Sequence, residues 1–142
     1  MTAKEYLSQP LNIRRKIKYL KLDLERYEKI IYSCSSPNYE NVRVDKSLIK
    51  ETPNQIALEK CDEIKAKIKN LEKELERVIV DVNKVIEDLD NTEFKLLLKY
   101  RYLDEMSYDD IKEKLFVSYS SIKRWHNDAL VQISQILKVE PQ

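Results

Sequence analysis

Ten apolar residues recur between positions 55 and 90 at alternating steps of four and three: Ala57, Cys61, Ile64, Ile68, Leu71, Leu75, Val78, Val82, Val85 and Leu89. An α-helix returns side chains to one face at that period, and a strand does not. The stretch therefore reads as a single helix of roughly 35 residues, about 50 Å long at 1.5 Å per residue. A seam this narrow on a helix this long calls for a partner helix. The residues before it supply one. Ile13, Ile17, Leu20, Leu24, Tyr27, Ile31 and Cys34 repeat the same steps. Thr2 is placed to cap a helix at the start of the chain, and Pro10 to kink that helix or divide it.

Between the two runs, residues 35 to 54 (SSPNYENVRVDKSLIKETPN) carry two prolines and many turn-forming residues, and read as a loop. Folded back across it, the runs make a long antiparallel helical hairpin over residues 1–90, with Cys34 and Cys61 both near the loop end. The second helix outruns the first by about ten residues. A second copy would then cover the remaining seam, with Ile64, Ile68, Leu71, Leu75, Val78 and Val82 as the oligomerisation residues of a homodimer.

Glycine is absent from all 142 residues. That excludes every glycine-dependent phosphate loop and leaves turns of positive φ to other residue types. Together with 36% charged residues rich in Lys and Glu, it points to an all-α protein with long exposed helices. Two cysteines and one histidine, His126, fall short of the close-spaced set a zinc site takes, so no metal and no cofactor are expected. No nucleophile, base and orienting acid suggest a triad, and no paired carboxylates sit in an apolar setting, so an enzyme is not expected. MTAKEYLSQPL lacks the apolar core of a secretion signal, and no apolar run approaches the ~20 residues of a membrane helix. The expectation is a soluble cytoplasmic protein with no membrane partner.

The net charge of +1 is unevenly spread. Residues 1 to 34 hold eight Lys/Arg against four Asp/Glu, residues 35 to 90 ten against thirteen, and residues 91 to 142 eight against eight. No segment is strongly basic, which speaks against avid nonspecific nucleic-acid binding. The local cluster Arg14, Arg15, Lys16 and Lys18 reads equally as a phosphate contact or as a solvated face.

From Asp90 the pattern changes. Asp90, Asn91 and Thr92 read as a helix stop followed by a new cap. TEFKLLLKYRYL then forms a compact helix whose apolar face is Phe94, Leu97, Leu98 and Tyr102. Asp104 and Glu105 make a turn. Ser107 caps a short helix with Asp109 and Asp110 in its first turn, where the helix dipole favours acids. That helix ends near Leu115, and Ser118 caps the last one, from about Tyr119 to Leu137. Ile111 and Leu115 face one way on the first. Ile122, Trp125, Ala129 and Ile133 do so on the second, with Val117 at the corner. These spacings let three helices share a core over residues 91–142, the arrangement that supports a recognition helix. The opposite face carries Tyr119, Ser120, Ser121, Lys123, Arg124, His126 and Asn127, side chains of the types that meet phosphates and base edges.

The stretch YRYLDEMSYDDIKEKLFVSYSSIKRWHNDALVQI resembles region 4 of bacterial sigma factors. Arg101-Tyr102-Leu103, Ser107-Tyr108-Asp109-Asp110-Ile111 and the Ser118-capped helix through Ala129 carry the likeness, over about the last 45 residues. Two positions depart from it: Phe116 stands at the corner where glycine is usual, and Lys112 where a small residue is usual. The whole chain, opening MTAKEYL, is also similar to a family of small proteins encoded by phages and prophages of low-GC Gram-positive bacteria. Those proteins are related to the RinA and ArpU type of late-gene transcription regulators. The resemblance implies a sequence-specific regulator, an activator of late packaging and structural genes in a bacterial host cell, with double-stranded DNA and host RNA polymerase as partners.

A rival expectation makes the coiled coil the working part, an adaptor that docks on RNA polymerase or on a repressor without reading DNA. A terminase small subunit would also join the two kinds of element, but those usually place the DNA domain first.

Overall fold

A computed structural model describes residues 1–33 and 52–138, and every element in it is helical. In order these are α1 (Ala3–Leu7), α2 (Gln9–Ser33), α3 (Pro53–Glu87), α4 (Thr92–Leu98), a π-helical turn (Lys99–Leu103) running straight on from α4, α5 (Tyr108–Leu115) and α6 (Tyr119–Leu137). The all-α expectation holds for these residues. Cys34, its proximity to Cys61, and positions 35 to 51 of the expected loop lie outside the described residues. Cys61 is a buried free thiol.

Local chemistry places the helix starts. Thr2 and Glu5 form a reciprocal capping box, Glu5 N–H donating to Thr2 Oγ1 at 3.2 Å and Thr2 N–H to the Glu5 carboxylate at 3.0 Å. Thr52 and Gln55 do the same before α3, where Pro53 takes the first helical position, whose N–H would lack a partner anyway. Asn91 accepts from the N–H groups of Glu93 and Phe94. Ser107 accepts from Asp110 N–H at 3.2 Å, and Ser118 from Ser121 N–H at 3.3 Å. Each satisfies a backbone donor that would otherwise face solvent unpaired.

The chain divides into two compact units, and the division falls within α2 and α3. One unit holds residues 15–72. Its buried apolar side chains are Ile17 on α2 and Ala57, Cys61, Ile64 and Ile68 on α3, at the steps of four and three that the sequence shows. The other unit holds residues 1–14 with 73–138. It is therefore larger than the expected 91–142 domain and takes in the first helix of the chain. In it α1, α4 and α5 each pack on α6, and α5 also meets the π turn. Leu97, Ile111 and Ile122 are fully buried together, with Tyr100, Met106, Tyr108, Leu115, Val117 and Trp125 against them.

The C-terminal half of α3 departs from the expected seam. Val82 and Leu89 are buried as expected, but Ile86 is completely buried and Val85 only half so. This part of α3 belongs to a multi-helix unit, which covers a wider stripe than the seam of a two-stranded coil. Ile64, Ile68, Val78 and Val82 are buried within a single chain, and Leu71 and Leu75 are half-buried. Four members of the expected oligomerisation seam are thus already covered within one chain.

Ile86→Ala is expected to cost about 2–5 kcal/mol of stability by chemical denaturation, and Val85→Ala about 1 kcal/mol. Equal losses at the two positions would put the sequence-derived register back in place.

Candidate functional site

The π turn sets the geometry around α6. Its wide hydrogen bonds, Asp104 N–H to Lys99 carbonyl at 3.0 Å and Met106 N–H to Tyr100 carbonyl at 2.9 Å, insert an extra residue into the end of the α4 helix. Tyr102 then points inward, and its hydroxyl shares a buried 2.6 Å hydrogen bond with His126 Nε2 on α6. The two rings lie stacked with centroids 5.7 Å apart. Tyr108 meets His126 edge-on at 5.9 Å and Tyr119 edge-on at 6.1 Å, so four aromatic rings link the π turn, α5 and α6. Arg101 lies 4.6 Å above the Tyr108 ring and donates to the Met106 carbonyl at 3.2 Å.

His126 was expected on the exposed reading face; the structure corrects this. Only 6% of it is exposed, and its ring is committed to Tyr102. Burial, with Lys4 and Arg101 adding positive potential, lowers its pKa to about 4. Burial likewise raises the Tyr102 hydroxyl above its ordinary range. The position is explained by spacing: His126 continues the buried stripe of Ile122, Ala129 and Ile133, at steps of four, three and four.

The other expected site residues lie on α6 or at its start. Tyr119, Ser120, Lys123, Arg124 and Asn127 are exposed, and Ser121 is half-buried. Ser118 Oγ donates to Ser121 Oγ at 2.9 Å and sits 3.2 Å from Ser120 Oγ, which fixes these hydroxyls around the cap. Lys123 Nζ rests 4.8 Å above the Tyr119 ring. Among the described residues neither Lys123 nor Arg124 forms an ion pair, whereas Glu87 engages both Lys95 and Lys99. The bond to Lys99 keeps the Glu87 carboxyl below its ordinary range.

Of the basic cluster, Arg14 is occupied internally. It donates to the Leu103 carbonyl and lies 3.9 Å from Glu105, which ties the start of α2 to the end of the π turn. Arg15, Lys16 and Lys18 are exposed. The corner between α5 and α6 has the left-handed backbone that glycine usually supplies. Phe116 adopts it at φ 55 and ψ 43, its N–H bonded to the Lys112 carbonyl and its side chain 93% exposed. Lys112 is exposed as well, so no small residue is needed there.

One contributor was missed in the sequence. A cleft on the α6 surface is lined by Lys123, His126, Asn127 and Leu130, by Tyr108, and by Lys4 of α1. Ala3 and Leu7 are completely buried at an interval of four, which was the available sign that α1 had to be covered by something. Among the described residues no three His, Cys, Asp or Glu side chains gather as a metal site, and no helix is long and apolar enough to cross a membrane.

The depressed His126 pKa has a definite sign. Between pH 6.5 and about 4 the unfolded chain takes up a proton that the folded chain refuses, so stability falls as pH falls through this window. The loss from this group approaches about 3 kcal/mol at the acid end. Denaturation midpoints of wild type and His126→Gln across that window are expected to converge, because the variant lacks the titration. Parallel profiles would mean that His126 protonates freely in the folded protein.

No curated protein and no solved structure gives a significant match to the chain. The sequence model of one family, described as "Protein of unknown function (DUF1492)", matches residues 33–134, the greater part of the chain. The protein, with its Tyr102–His126 pair and its α6 face inside the matched region, belongs to the DUF1492 family.

Proposed function

We propose that this chain is a sequence-specific DNA-binding transcription regulator in which α5 and α6 act as a helix-turn-helix of the sigma region 4 kind. One observation carries the reading. Helix α6 buries Ile122, His126, Ala129, Leu130 and Ile133 and turns Ser120, Lys123, Arg124 and Asn127 to solvent, with both cations free of ion pairs among the described residues. Short hydroxyls at the start of a helix, then a Lys-Arg pair and an amide, are what major-groove docking uses: backbone contact first, base edges next. The buried Tyr102–His126 bond holds that face at a fixed rotation. Non-catalytic activation of late genes in a phage or prophage, within the cytoplasm of a bacterial host, is the role that fits the resemblance of the whole chain to small phage and prophage proteins. Helices α2 and α3 serve in this reading as a long coiled-coil hairpin. Pairing of two copies would set two α6 helices on two half-sites.

Binding to DNA from the gene's own neighbourhood is expected to weaken steeply with salt. In Lys123→Ala with Arg124→Ala it is expected to fall to the level of random DNA, about 10³-fold or more below the specific site. Specific binding that survives the double substitution would move the reading surface off α6.

A second reading rests on Phe116. An aromatic ring 93% exposed, on a backbone conformation unfavourable for any residue with a Cβ, is an anchor for a protein partner rather than a packing element. This reading keeps the partners of the adaptor alternative, RNA polymerase or a repressor, but moves the docking contact from the coiled coil to the corner between α5 and α6. Phe116→Ala is expected to leave DNA affinity within about twofold. If docking through Phe116 holds, it abolishes transcriptional activation in a reconstituted reaction; if activation survives, that contact falls.

A further inference from the structure

The cleft between α1 and α6 is built from both ends of the described sequence. Helix α1 has only five residues, too few to persist in water unaided. It is held by the complete burial of Ala3 and Leu7 and by the Thr2–Glu5 capping box. Lys4 lies between the two buried anchors and is itself exposed, so its backbone is fixed while the residue lines the cleft. On the other wall stand Lys123 and Asn127. No carboxylate is among the lining residues, and Lys4 has no ion pair with a described residue. The positive potential of Lys4 is felt at His126, on the floor of the cleft, where it opposes protonation. Two lysines and no carboxylate line the cleft, so its potential is positive and favours an anion. The amide of Asn127 offers that anion a neutral donor.

We infer that this cleft receives a backbone phosphate of the DNA that α6 reads, with Lys4 and Lys123 on either side of it. The inference rests on the DNA-binding reading above. It adds a contact from a separate part of the sequence, one that positions the duplex without reading bases. Helix α1 is then part of the interface as well as a cover for α6. A phosphodiester fits the cleft better than an acidic protein side chain, because Lys123 and Asn127 also belong to the exposed α6 face where the duplex would lie.

The test uses the full chain and compares wild type with Lys4→Gln, Lys4→Glu and Lys4→Arg on a specific duplex and on random DNA across a salt series. Removing one phosphate contact is expected to lower the magnitude of the log–log salt slope by about 0.9. Lys4→Gln should weaken specific and random binding by the same factor, about three- to tenfold at low salt. Lys4→Glu should weaken both more, and Lys4→Arg should restore the wild-type slope. If wild type binds the duplex but Lys4→Gln keeps its slope and affinity, the phosphate contact is refuted and the α6 reading stands. If wild type binds no DNA, both fall. A further arm titrates inorganic phosphate alone and follows the His126 ring resonances. A Lys4-dependent shift at low-millimolar phosphate would reassign the cleft to a free anion and overturn the assignment to the DNA backbone.

Discussion

The Tyr102 hydroxyl and His126 Nε2 meet at 2.6 Å where neither can reach bulk water, and the geometry of the C-terminal unit turns on that contact. A buried polar pair of this kind has one good arrangement and is costly in any other, so it fixes both how far α6 is rotated and where it sits along its axis. The π turn delivers Tyr102 to it by adding one residue to the end of the α4 helix. Tyr108 then wedges against the same imidazole and carries the order outward to Tyr119 and to the lysine resting on it. The exposed face of α6 is therefore set from behind, by the residues that cannot move.

Much of this was legible in the sequence because it is local. Thr2, Asn91, Ser107 and Ser118 cap helices where their types and spacing say they should, and the steps of four and three mark buried or half-buried positions along α3 as far as Val82. What was not legible depends on what packs against what. Val85 and Ile86 are both β-branched aliphatics, and only the number of neighbouring helices decides which one is buried. His126 was misplaced by its chemistry: its spacing puts it with Ile122 and Ile133, but an imidazole on a polar helix suggests a contact. Its partner, Tyr102, is buried on the expected apolar face, but the π turn that aims its hydroxyl at His126 leaves no mark in hydrophobic periodicity. The packing of α1 on α6 is a pairing of distant segments, and Ala3 and Leu7 say only that some cover exists.

Positive φ without glycine is a recurring device in this chain. Glu105, Phe116 and Lys138 all take the left-handed conformation, two at the ends of α5 and α6 and one in the turn before α5. Each costs on the order of 1 kcal/mol relative to a glycine-compatible arrangement. Each also restricts the unfolded chain more than glycine would, so part of the cost is recovered. At Glu105 the contact with Arg14 offsets some of the remainder, and at Phe116 the bond from its N–H to the Lys112 carbonyl does so.

The packing of α1 against α6 also has a consequence during synthesis. On the ribosome α1 is made first of the described elements and α6 last, so the buried sides of Ala3 and Leu7 have no cover until α6 has been translated. At about 5–20 residues per second that wait is on the order of ten seconds. During it a five-residue amphipathic segment trails behind the growing helices with nothing to hold its shape. The unit that holds α6 therefore completes late, by capture of the earliest described helix onto the last. A bulky fusion ahead of Thr2 would burden the same element twice, once in that capture and again at the surface Lys4 presents.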